Sequence, residues 1–75
     1  MRVFQGLDGR EWQAAVGRES WGGFVAIVSP SRGSDPPRQA PLMASSMEEA
    51  YRELAGMDQG ELQELVERSR VPPAG

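Results

Sequence analysis

Gly22-Gly23-Phe24-Val25-Ala26-Ile27-Val28-Ser29 is the stretch around which the chain is organised. Residues 24–28 are apolar without interruption, include two valines and an isoleucine, and show no polar alternation, a run too short for most helices. Trp21-Gly22-Gly23 reads as a turn before it, and Ser29-Pro30 fences its end. The run therefore predicts the middle strand of a small sheet, with both of its faces shielded from water.

Working back from this strand, Trp12-Gln13-Ala14-Ala15-Val16 alternates, with Trp12, Ala14 and Val16 on one face and Gln13, Ala15 and Gly17 on the other. That is the pattern of a half-buried strand starting at Arg10 or Glu11. Gly17 marks either a bulge or a close approach of a neighbouring side chain. Arg2-Val3-Phe4-Gln5 is a further short strand, and the Asp8-Gly9 pair between the two suits a hairpin turn that needs positive φ. Short connections make these three strands an antiparallel meander.

Working forward, residues 30–38 hold three prolines, a glycine and small polar residues, a composition that sustains neither ladder nor helix. Residues 39–44 can return as a fourth strand only at an edge, because Pro41 has no amide donor. From Ser45 the period changes. Ser46 and Glu49 have capping-box spacing. Met47, Ala50, Tyr51, Leu54 and Ala55 then form an apolar stripe, with Glu48, Glu49, Arg52 and Glu53 facing away. After Gly56 a second helix begins from Asp58, with Glu61 at the matching position, Met57 and Leu62 spaced as a hydrophobic staple, and an apolar stripe of Leu62, Leu65 and Val66. Val71-Pro72-Pro73 ends it. The sequence thus predicts one small α+β domain over residues 1–71, a meander of three or four strands with a C-terminal two-helix hairpin on one face, and a flexible Pro-rich tail at 72–75. The other face of the sheet is left to be covered by the loop after Pro30 or by another chain.

Composition narrows the function classes. The 75 residues include no cysteine and no histidine, which removes disulfides, soft-metal sites and every triad built on those side chains. No glycine-rich phosphate loop or EF-hand spacing is present, so no catalytic, cofactor-binding or metal-binding residue is predicted. The opening residues lack an apolar signal core and no segment reaches membrane-span length, which predicts a cytoplasmic protein without a membrane partner. All eight basic residues are arginine, as GC-rich coding would produce. Five arginines face four acids in residues 1–44, whereas three face seven in residues 45–75.

Two functional expectations follow. The first is a small non-enzymatic interaction module, an accessory subunit or regulator of a larger bacterial assembly, whose partner is a protein or a second copy of the chain. Its expected contact residues are Trp21, Phe24, the loop with Arg32 and Arg38, and the outward acids of the helices, among them Glu49, Glu53 and Glu64. The second is a weak single-stranded nucleic-acid binder using Phe4, Trp21 and the arginines of the strand-rich half, since aromatics beside arginines on a sheet stack bases. The acidic second half opposes it. An enzyme would require Asp8, Glu11 or Asp35 to converge in a concave site.

Overall fold

The computed structural model describes residues 1–19 and 22–72. Four strands follow one another, β1 (Arg2–Gln5), β2 (Glu11–Arg18), β3 (Phe24–Pro30) and β4 (Arg38–Pro41), each antiparallel to the last and in chain order across the sheet. Two helices complete the chain, α1 (Met47–Ala55) and α2 (Gln59–Arg68). This is the α+β meander that the sequence predicts, with the fourth strand formed.

Local chemistry accounts for each connection. Gly9 adopts φ 82° in the β1–β2 turn, which is closed by the Gly6 amide donating to the Arg10 carbonyl. Gly22, at φ 100°, donates to the Glu19 carbonyl in the next hairpin. Gly17 sits in unbroken register opposite Val25, so it is no bulge. A Cβ there would stand within 3 Å of Ile27, and Gly17 is the place where that side chain lies down on the sheet. Pro41 is tolerated by geometry. Alternate residues of β4 point their amides to opposite sides, and Leu42 donates inward to Phe24 while Gln39 donates outward to Arg70. Pro41 shares the outward side with Gln39, so its missing N–H takes nothing from the ladder.

Register decides which face is buried. Phe4, Trp12 and Pro30 align across three strands, as do Val16, Ala26 and Ala40 on β2, β3 and β4. Their side chains share one face with Phe24, Ala14 and Val28, and this face carries the core together with Leu42, Ala50, Leu54, Leu62, Leu65 and Val66. Ala14, Ala26 and Ala40 are fully enclosed and give the helices a flat floor. α1 lies over β2 and β3, while α2 reaches β1 and β4. The molecule is only 17 Å deep against 32 Å in its other two dimensions. That depth holds a sheet and one layer of helices, not three layers.

The helix starts are built as their sequences suggest, with one difference. Asp58 and Glu61 form a reciprocal capping box. At α1, Ser46 accepts from the Glu49 amide, but the Glu49 carboxylate reaches past it to Ser45, where amide and hydroxyl donate to the same oxygen at 3.0 and 2.8 Å. The α1 stripe is also narrower than expected. Ala50 and Leu54 are buried, whereas Met47, Tyr51 and Ala55 remain exposed. α2 occupies the ground over β1 and β4, so α1 encloses only the residues aimed straight at the floor.

Three arginines fasten the layers. Arg2 donates to the carbonyls of Ala55 and Met57 at 2.7 and 3.0 Å, placing a cation at the negative end of α1. Arg38 donates to the Ser69 carbonyl at 3.0 Å, and Arg68 to that of Pro41 at 3.3 Å. Arg68, four residues after Glu64, is thus tied to β4, while Glu48 and Arg52 at the same spacing on α1 do pair, at 2.5 Å. Beyond α2, Arg70 exchanges both backbone hydrogen bonds with Gln39, at 2.7 and 2.8 Å.

Candidate interaction surface

The face of the sheet turned away from the helices carries Val3 and Gln5 from β1, Glu11, Gln13, Ala15 and Gly17 from β2, Val25, Ile27 and Ser29 from β3, and Gln39 and Pro41 from β4, each aligned with its neighbour by the register. No helix lies over it. Its middle strand is half-covered from within the sheet: Val25 is 6% exposed, while Ile27 and Ser29 are half-buried. Ile27 gains its cover by lying on Gly17. The tail contributes at one corner, where Val71 and Pro72 join Val25, Pro41, Arg68 and Arg70 around a groove of about 360 Å³.

The loop after Pro30 does not supply the missing layer. Residues 32–37 are exposed, and the loop is fastened at the end of the sheet, by the Ser31 amide to the Glu11 carbonyl at 2.9 Å and by Arg10 to Asp35 at 2.9 Å. Of the two covers open to that face, the internal one is not used.

Charge is distributed unevenly over this surface. Among the strand positions on the face only Glu11 is charged, and it stands at the end. Glu19 and Arg70 flank the margin. The inner-strand positions of this face, Gln13, Ala15, Gly17, Val25, Ile27 and Ser29, are uncharged, whereas Gln39 on the edge strand β4 stands directly beside Arg70. Neutral centre and charged rim is the anatomy of a protein interface. Elsewhere, Met43 ahead of α1 and Met47 and Tyr51 on it are also exposed, with Glu48 and Arg52 between them in sequence.

The side chains singled out from sequence do not come together. Trp21 lies outside the described residues. Phe24, expected at a contact surface, belongs to the core at 7% exposure, with the Arg18 guanidinium 5.7 Å from its ring centre. Its alternation partners are Ala26 and Val28, and the register turns all three toward the helices. Arg38 is tied to Ser69, whereas Arg32 is exposed in the loop. Glu53 accepts from the Met43 amide with both oxygens and Glu49 is held by Ser45. Ser45 also keeps the Glu49 carboxyl below its ordinary pKa. Glu64 is exposed on α2. The residues that matter for the open face, Gln13, Ala15, Ile27, Ser29 and Gln39, were marked in the sequence only by sitting at odd positions of the alternating strands.

The arginines expected to hold phosphates are similarly employed. Arg2 and Arg38 close helix ends, as above, and Arg10 bridges Asp8 at 2.7 Å and Asp35 at 2.9 Å while stacking 5.3 Å from the Trp12 ring centre. Phe4 is buried. Asp8 and Asp35 thus converge, but on a guanidinium. Asp8 accepts from the Arg10 side chain, then the Arg10 amide, then the Trp12 indole, and these bonds hold its carboxyl down to about 2. Proton transfer near neutrality asks for a shift in the other direction. Among the described residues, no three acidic side chains gather in a way that could hold a metal ion, and no helix is long and apolar enough to cross a membrane.

The Asp8 cluster predicts an acid-sensitive clasp. Its folded pKa lies below the unfolded one, so its contribution to stability is fully present above about pH 4 and is lost as pH falls through about 2. Melting temperature recorded from pH 5 to pH 2 should fall more steeply in the native chain than in Asp8→Asn. Parallel curves would show that the cluster carries no pH-dependent stability.

Compared with known proteins, the chain matches no family model, no curated protein and no solved structure.

Proposed function

We propose that the protein is a small non-enzymatic interaction module of the cytoplasm, an accessory subunit or regulator that lends the uncovered face of its sheet to a protein partner. One observation carries the reading: a four-stranded sheet with helices on one side only, whose other side has an uncharged centre. An antiparallel sheet that simply faces water alternates apolar with polar and charged residues. Here β3 places Val25 and Ile27 on the open side, and no charge interrupts the centre. Nucleic-acid binding gains little support, because the aromatic Phe4 is buried and three of the strand-half arginines are bound to carbonyls or carboxylates.

Introducing charge on the face tests it. Gln13→Glu combined with Ala15→Glu places two carboxylates on β2, in the inner part of the face. Immobilised native protein should retain a protein partner, from native extract or as a further copy of itself, that the double variant does not. Retention of the same material by both would remove the reading. Retention of nucleic acid instead, released steeply between low and physiological salt, would replace it.

A further inference from the structure

We infer that the groove at the β4 corner of the sheet binds a small monocarboxylate with an apolar body, its carboxylate held by Arg68 and Arg70 and its chain laid on Val25, Pro41, Val71 and Pro72. This site goes beyond the interaction reading and stands apart from it, since neither Gln13 nor Ala15 lines it.

Register brings the groove together. Gln39 and Arg70 exchange backbone hydrogen bonds as an antiparallel pair, so the chain beyond α2 runs beside β4 like a short further strand. Residues opposite one another in such a pair share a face, which sends Arg70 to the open side of the sheet with Gln39. Two residues back along the chain, Arg68 comes beside Pro41, where one guanidinium N–H reaches the Pro41 carbonyl at 3.3 Å. Pro41 in turn stands opposite Val25. The groove they enclose, about 360 Å³, is within the size range of small-ligand sites. Its walls are stiff. Arg70 is pinned to Gln39 by bonds of 2.7 and 2.8 Å, and Pro41 and Pro72 have fixed φ. A groove with fixed walls loses little order when it is filled.

Charge selects the occupant. Arg2, Arg10, Arg38 and Arg52 already donate to carbonyls or carboxylates elsewhere. Among the described residues the Arg70 guanidinium has no hydrogen-bond partner, and Arg68 spends one N–H on Pro41, so most donors of the two forks remain open. Such a fork fits a carboxylate with two parallel bonds. An apolar body lying against the valines and prolines keeps water from that contact and strengthens it. Glu19, half-buried across β3 and β4 from the arginines, also lines the groove. Its carboxylate repels a second negative charge at the far end, which favours a monocarboxylate over a dicarboxylate or a phosphate.

Octanoate is the probe that tests the site. Suberate adds a carboxylate at the far end of the same chain, and octylammonium reverses the charge. Titration followed by amide NMR shifts should saturate for octanoate at roughly millimolar concentration, with the largest shifts at Val25, Gln39, Arg70 and Val71. Suberate and octylammonium should bind at least about fivefold more weakly. Arg70→Gln leaves the backbone bonds to Gln39 in place and should weaken octanoate by about fivefold or more. Glu19→Gln should bring suberate close to octanoate, and Arg32→Gln, in the exposed loop, should change nothing. No saturation by about 20 mM, equal binding of octanoate and either other probe, or an octanoate affinity untouched by Arg70→Gln would overturn the site. The comparison of probes on the native chain does not depend on any variant folding.

Discussion

Leu62→Ala should remove a large part of the molecule's stability. Leu62 is fully enclosed in the first turns of α2, within the core shared with Leu65, Val66, Phe4 and Trp12. Truncation of such a leucine costs about 2–5 kcal/mol, in lost transfer energy and in the cavity left behind. A domain of this length has only about 4–11 kcal/mol in hand, so the melting temperature should fall by roughly 10–30 °C. α2 is seated by Leu62 and Leu65 together, both fully enclosed, since its outward face is Glu64, Glu67 and Arg68. Glu64→Ala, two residues on and exposed on the opposite side of the helix, should stay within about 0.5 kcal/mol of the native chain. Thermal unfolding by far-UV circular dichroism measures both. A loss below about 1 kcal/mol for Leu62→Ala would mean that α2 is not seated on the sheet as described.

The second large effect is expected at Trp12. It lies between Phe4 and Pro30 in the register, is 4% exposed, and donates its indole N–H to Asp8 at 3.1 Å. Trp12→Ala should cost about 3–5 kcal/mol and also leave Asp8 and Arg10 without the ring they close over. Trp12→Phe keeps most of the apolar surface and forfeits the indole donor, so its cost should be nearer 1 kcal/mol. Gly6→Ala attacks the same contact from the other side. Its new Cβ would stand 2.6 Å from two atoms of the indole, a rigid group, and should cost about 1–3 kcal/mol. Denaturant titration of the three variants orders them. Equal costs for Trp12→Ala and Trp12→Phe would place the stabilisation in the hydrogen bond and not in the ring.

These sites show what could be read from the chain alone. Trp12, Ala14 and Val16 declare their shared face by alternation, and Asp58 with Glu61 declares a helix start. Both signals act over a few residues, where backbone geometry leaves little choice. Pro41 announces an edge for the same reason. The width of the α1 stripe was not legible, because whether Met47 and Tyr51 are enclosed depends on how much floor α2 leaves free. Nor was the choice of Arg68 between Glu64 and the Pro41 carbonyl, a competition between a neighbour on the helix and a strand 27 residues away in sequence. Phe24 shares its parity with Ala26 and Val28, so the alternation grouped the three. Which side of the sheet the helices take is set by packing, and choosing Phe24 as a contact residue meant choosing the wrong side. The open face itself was anticipated, from a strand apolar on both sides and too few helices to cover it.

The bridge between Arg70 and Gln39 limits what the sheet can become. It plugs β4 at its centre, while β1 at the opposite end keeps the outward amide and carbonyl of Val3 for another strand. Growth of a filament by lateral strand addition needs two such openings on every unit. A unit with one opening joins one neighbour and stops, so lateral pairing in concentrated preparations should terminate at closed couples and never nucleate a fibre.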